Sequence, residues 1–233
     1  MLFTGTSCKA FDVLEDKGFR VDGILYRNIN ETQVAVGSIE VHPESKAVFI
    51  PSRVEGYDVV QLGFDFPDFG LSGINKLYVN GNPDIQRVYF PGSIIGFTYD
   101  YTQFVRYTDI FYCGKVQNLY PLLASQSKIY VPNEEYEEFF KVTEDAEYFL
   151  LPANITYLLN YREENDYYYV DSGEYGEPIR YIPPRPEREG YSFEGWYTEA
   201  ECIHEWNFTV SALPVLGEGE EFRETQLFAK WSI

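Results

Sequence analysis

Six short runs with one pattern constrain this chain more than any other feature: KAVFIP from Lys46, KLYVNG from Lys76, RVYFPG from Arg87, DIFYCG from Asp109, KIYVPN from Lys128 and EYFLLP from Glu147. Each opens on a charged residue, alternates apolar positions and stops at Pro or Gly, which continue a ladder poorly. From Arg87 onward the runs begin at residues 87, 109, 128 and 147, a spacing of about 20 residues. A unit that short cannot bury its apolar face alone. Successive units are therefore predicted to stack their strands into a parallel sheet over one shared core.

Composition agrees with strands. Among 233 residues, 21 are Tyr and 18 are Phe against a single Met, and aromatic side chains favour the pleated surface of a sheet. The length suits two ordinary domains. The formal charge of −19 repels phosphate backbones and anionic lipid headgroups, since binding either needs clustered Lys and Arg. No nucleic-acid or membrane partner is expected, and no apolar run reaches the length of a membrane span. An acidic exterior suits a soluble protein that stays dispersed outside a cell. No export signal is read in the chain. Cys8, after the lead MLFTGTS, reads either as the tail of a processed leader or as an incidental residue in a flexible N-terminus. Cys8, Cys113 and Cys202 are odd in number and far apart, which excludes a disulfide scaffold.

The pattern changes near Leu151. ANITYLLNY and YYYV alternate as strands around the polar turn REEND, PIRYIPPRPEREGY is too proline-rich for anything but an extended connection, and TQLFAKWSI closes the chain as another strand. The expected organisation is a flexible N-terminus over 1–20, a repeat domain over 21–150 and a small separate domain over 151–233, the two cores folding independently.

Two resemblances follow from these motifs. DGILYRNINETQVAVG (Asp22 to Gly37) with KAVFIPSRVEGYDVVQLG (Lys46 to Gly63) resembles the opening segment of the BspA-type leucine-rich repeats of bacterial surface proteins, and LYVNGNPDIQRVYFPGSI and KIYVPNEEYEEFFK are similar to later turns of such an array. The usual Ala-Phe step is missing and GFTYDYTQFVRYTD (Gly96 to Asp109) matches nothing, so a shortened, irregular array is implied. The tail is similar to the Listeria-Bacteroides repeat, the module type of the internalin B B-repeat: Pro183 to Pro186, GYSFEGWYTE, Trp206-Asn207-Phe208 and the final TQLFAKW occur in its order. Together they imply a mainly β chain with a minor α component, an irregular leucine-rich-repeat-like β-solenoid followed by a small β-grasp-like domain.

In GYSFEGWY, Gly195 interrupts the alternation so that Phe193 and Trp196 point into one core, with Trp231 as a third structural ring, while Tyr191 and Tyr197 flank it. A cage for a cation or sugar would need the rings to converge on an open cleft; a small module needs them for burial. His42 lies before Pro43 in a turn, and His204 near Cys202 and Glu205 lacks further ligands, so no metal and no cofactor are expected. In PNEEYEEFFK the acids face water while Tyr136, Phe139 and Phe140 turn inward. Asp166, Asp171 and Glu174 surround a turn without calcium-loop order. Asn30, Asn154 and Asn207 begin sequons that a bacterial chain does not use. No nucleophile elbow, phosphate loop or zinc-protease motif is present. The chain is thus read as non-enzymatic, secreted or at the cell surface. Its expected partner is a host protein or another bacterial surface component, with carbohydrate binding as the alternative. The candidate anchors are Tyr99, Tyr101, Phe104 and Tyr107 in the irregular insert.

Overall fold

A computed structural model describes residues 18–40, 42, 44–63, 78–80, 85–97, 109–118, 127–141, 149–161 and 166–233. In chain order the strands are β1 (Phe19–Val21), β2 (Ile24–Asn28), β3 (Gln33–Glu40), β4 (Ala47–Phe49), β5 (Arg53–Val54), β6 (Tyr57–Leu62), β7 (Tyr78–Asn80), β8 (Arg87–Phe90), β9 (Gly96–Phe97) and β10 (Asp109–Tyr112). They continue as β11 (Ile129–Val131), β12 (Leu150–Pro152), β13 (Ile155–Leu158), β14 (Tyr167–Asp171), β15 (Ser192–Tyr197) and β16 (Thr225–Ser232), with helix α1 (Tyr136–Lys141) after β11. The fold is mainly β.

The first sheet runs β1-β2-β3-β6-β5, with β7 on β3 and β9 on β6. One local motif builds two of its hairpins. Arg-Val-Asp-Gly at Arg20 and Arg-Val-Glu-Gly at Arg53 both put two successive residues at positive φ: 47° and 80° at Asp22 and Gly23, 48° and 84° at Glu55 and Gly56. That is the two-residue turn whose twist matches antiparallel strands. In each, the arginine donates to the turn glycine's carbonyl at 3.0 Å.

The second sheet contains five of the six runs, in the order β12-β11-β10-β8-β4 and parallel throughout. The sixth, KLYVNG, departs from the expected stack: β7 pairs in parallel with β3 of the first sheet. Register aligns Val48, Val88, Ile110, Ile129 and Leu150 in one row and Phe49, Tyr89, Phe111, Tyr130 and Leu151 in the next. Successive side chains point to opposite faces, so the first row enters a core shared with Tyr26, Val34, Val36 and Leu62 of the first sheet. The second row faces the other way and packs with Ile155, Tyr157, Tyr169, Trp196 and Leu227. Both faces of this parallel sheet are covered, as parallel sheets require.

The third sheet runs β14-β13-β16-β15, with β13 and β16 parallel at its centre. The connection from 172 to 187 turns at Gly176 and then runs on through its prolines without helix or strand. The described residues therefore form three layers, with the short parallel strands in the middle. The second core is not the C-terminal module's alone, because Tyr89, Phe111 and Cys113 belong to it.

Candidate binding surface and the seam beneath it

The seam between the parallel sheet and the C-terminal module begins as an aromatic ladder. Phe49, Tyr89, Phe111 and Tyr130 stack in sequence with ring centroids 4.1, 4.5 and 4.9 Å apart and planes within 15°. Tyr169 of β14 meets Phe49 and Tyr89 edge-on at 5.3 and 6.5 Å, and its hydroxyl donates to the Ile50 carbonyl. Edge-to-face and stacked pairs each add about 0.5–1.5 kcal/mol beyond burial.

Beside the two middle rings of the ladder, Arg87 crosses the seam. Its guanidinium lies 2.5 Å from Asp171 Oδ1, donates to the Ser172 carbonyl at 3.0 Å and sits 4.9 Å from the ring centres of Phe111 and Tyr181. Asp171 also accepts from Tyr89 Oη at 3.0 Å and from the Ser172 amide at 2.7 Å. Burial disfavours the carboxylate more than these partners favour it, so Asp171 is pushed up to about 6. Just past β10, Cys113 Sγ contacts the Phe90 and Tyr168 carbonyls, and burial pushes its thiol up, away from nucleophilic use. Gly92 lies at a tight approach between the layers: a Cβ there would stand 2.1 Å from the Tyr167 carbonyl oxygen.

The GYSFEGWY segment answers to packing. A register shift between Phe193 and Gly195, with φ 150° at Gly195, brings Phe193 and Trp196 to one side with centroids 5.3 Å apart. Trp196 is buried against Tyr157 and Tyr168. Phe193 and Trp231 are half-buried against the same core, and Trp231 Nε1 donates to the Leu159 carbonyl at 2.6 Å. Tyr197 departs from the expected rim position. It is buried, bridged by Glu205 and covered by Lys230, whose ammonium lies 4.8 Å from its ring centre. Tyr191 does stay exposed. A ring cage does form around Tyr161, Tyr191 and Trp231, and the chain's own Arg188 fills it, 4.3, 3.7 and 5.9 Å from their centres. Sequence reasoning missed this because Tyr161 enters from a distant strand end.

The remaining sequence candidates do not converge. Tyr99, Tyr101, Phe104 and Tyr107 lie outside the described residues, as does Cys8. His42 and His204 are exposed, the latter 3.4 Å from Glu199. Asp166 accepts from the Asn160 amide and Glu174 faces solvent, so neither joins Asp171. Asn154, one of the sequon positions, is buried and exchanges hydrogen bonds with Gly173. Among the described residues no cluster of three His, Cys, Asp or Glu could hold a metal. What the surface offers instead is grooves along the seam: two of about 480 and 470 Å³ share Ser52, Arg53, Tyr168 and Glu187, and another of about 680 Å³ lies over Arg87, Asp171 and Tyr181.

Part of this C-terminal layer matches a known module. Residues 154–215 match the Listeria-Bacteroides repeat domain. The match takes in β13, β14 and β15, and β16 completes the sheet beyond it by pairing with both β13 and β15. No curated protein matches the chain. The Listeria-Bacteroides repeat is typical of extracellular and surface proteins, and among the described residues no helix is long and apolar enough to cross a membrane.

Proposed function

We propose that the chain is a non-enzymatic component of a bacterial cell surface or secretome that works by presenting a face to another protein. The match at 154–215 to a repeat of surface proteins carries this reading. The five-strand parallel sheet supports treating residues 21–150 as an irregular, leucine-rich-repeat-like array, since one strand per unit aligned in register is how such units share a core. Fixing the Listeria-Bacteroides repeat against that sheet makes a rigid platform, and rigidity limits the ordering cost of association. Capture is assigned to the insert with Tyr99, Tyr101, Phe104 and Tyr107 by its density of aromatic anchors in sequence.

The test is capture from extracellular-matrix and bacterial surface extracts with the intact chain and with Tyr99→Ser/Tyr101→Ser. Lost capture at unchanged melting temperature supports the reading. Loss of stability assigns these rings to packing instead. A glycan array that binds the chain, or capture abolished by periodate treatment of the extract, would move the function to carbohydrate recognition. Turnover of any substrate would overturn the non-enzymatic reading.

A further inference from the structure

The middle sheet ends differently at its two edges. On the β12 side, the Ile129 amide donates to the Phe149 carbonyl and the Ala153 amide to the Val131 carbonyl, so residues 149, 151 and 153 face β11 while 150 and 152 face outward. Residue 152 is a proline with no amide hydrogen, and the Leu150 carbonyl accepts from Tyr136 Oη at 3.5 Å. That edge is blunted in the usual ways.

The β4 edge is not. Lys46 accepts from the Gln86 and Arg87 amides and the Ile50 amide donates to the Tyr89 carbonyl, so even-numbered residues face β8. The amides and carbonyls of Ala47 and Phe49 therefore point away from the sheet, and no strand among the described residues pairs with them. The 480 Å³ groove lies against this edge. It touches Ala47, Val48 and Phe49, and because consecutive residues point to opposite faces, a cavity that meets all three lies beside the strand, not above it.

The walls of the groove continue the two cores. Ile24, Tyr26 and Ile39 line it on the side of the first sheet, and Tyr168 and Pro184 on the side of the Listeria-Bacteroides repeat. Asp22, Glu40, Glu55 and Glu187 stand at its rim, all exposed. Of the two rim arginines, Arg53 is paired with Asp58 at 3.1 Å and Arg185 donates to the Phe193 carbonyl. The slot thus offers backbone groups that no described strand pairs with along its floor, apolar walls on both sides and an acidic mouth.

We propose that β4 accepts an added strand from a protein partner: a short extended segment, apolar at its centre and basic at its ends. This rests on the reading of the chain as a protein-binding surface and names the chemistry of one partner. Main-chain pairing supplies affinity in strand addition, and side-chain pockets and charge supply selection. A second copy of the chain is the poorer occupant, because each copy carries −19 and brings the same acidic rim.

The probe is the synthetic peptide acetyl-KKVAVKK-amide titrated into the whole chain. Saturable binding that weakens with salt is expected, with no binding by acetyl-EEVAVEE-amide. Two N-methylated versions, substituted at alternate residues, separate strand pairing from charge alone: only the phase whose amides face β4 should lose binding. Ala47→Pro removes one outward amide and leaves the β8 ladder intact, so the peptide should bind about three- to tenfold more weakly at unchanged melting temperature. Equal effects of both methylation phases, or no effect of either, would overturn the proposal even if Ala47→Pro failed to fold. Concentration-dependent self-association abolished by Ala47→Pro would make a second copy the occupant. Tighter peptide binding after removal of residues 1–17 would mean that the chain covers its own edge. The peptide result is independent of capture from extracts, so added-strand binding and the wider surface reading can fail separately.

Discussion

Trp196 is expected to be the costliest truncation in the Listeria-Bacteroides repeat. Its ring is buried among Tyr157, Tyr168 and Phe193, so Trp196→Ala should lose about 3–5 kcal/mol in chemical denaturation. Tyr191→Ala, at an exposed position where only the contact with Arg188 is lost, should cost about 0.5–1 kcal/mol. Asp171 gives a pH signature. Its carboxyl, 3.8 unperturbed, is raised to about 6 by burial, so between those values the folded chain binds more protons than the unfolded one. This group's contribution to stability is fully present below the unfolded value and is lost as pH rises through about 6. Asp171→Asn removes that titration. The stability of the native chain minus that of the variant, from urea midpoints between about pH 4 and 7, should therefore fall as pH rises. A flat difference would mean that Asp171 does not titrate there.

At the scale of elements, the tight approach at Gly92 sets the next expectation. Gly92→Ala must push aside a carbonyl of β14, and rigid backbone yields less readily than a side chain. A loss of about 1–3 kcal/mol is expected in thermal denaturation, with the β14 amides showing the largest gain in hydrogen exchange. The existence of the strands was legible: all six charged-start runs are strands, and the alternation in RVYF and DIFY sends successive residues to different cores. Which sheet a strand joins was less legible, since KLYVNG has the same local pattern yet pairs with β3. Period and punctuation act locally, whereas partner choice is decided by what the rest of the chain has already assembled. The Arg87–Asp171 pair was out of reach for the same reason. Its members lie 84 residues apart, and neither position has a neighbour in sequence that announces the other. The Trp196 cluster was legible because Gly195 marks the phase change between residues only three apart, while the burial of Tyr197 depends on Lys230 and Glu205 from elsewhere.

For the whole molecule, the shared second core bears on whether the C-terminal part stands alone. Residues 151–233 expressed without the rest would uncover Tyr169 and the face that meets Phe49, Tyr89 and Phe111. Such a fragment is expected to bind a hydrophobic dye and to unfold at lower denaturant than the same segment in the intact chain. Equal midpoints and no dye binding would show that the ladder adds nothing to the module's stability. The central pair of that module has another consequence. β13 and β16 run parallel, with Ile155 beside Thr225 and Leu158 beside Phe228. A pull applied between Ala153 and Ile233 therefore drags the two strands past one another along their length. All the hydrogen bonds of the pair bear that tension together, where a peeling geometry would break them one at a time. Resistance of this kind is a matter of unfolding rate more than of equilibrium stability, and it would let a module at a cell surface hold its shape in flow.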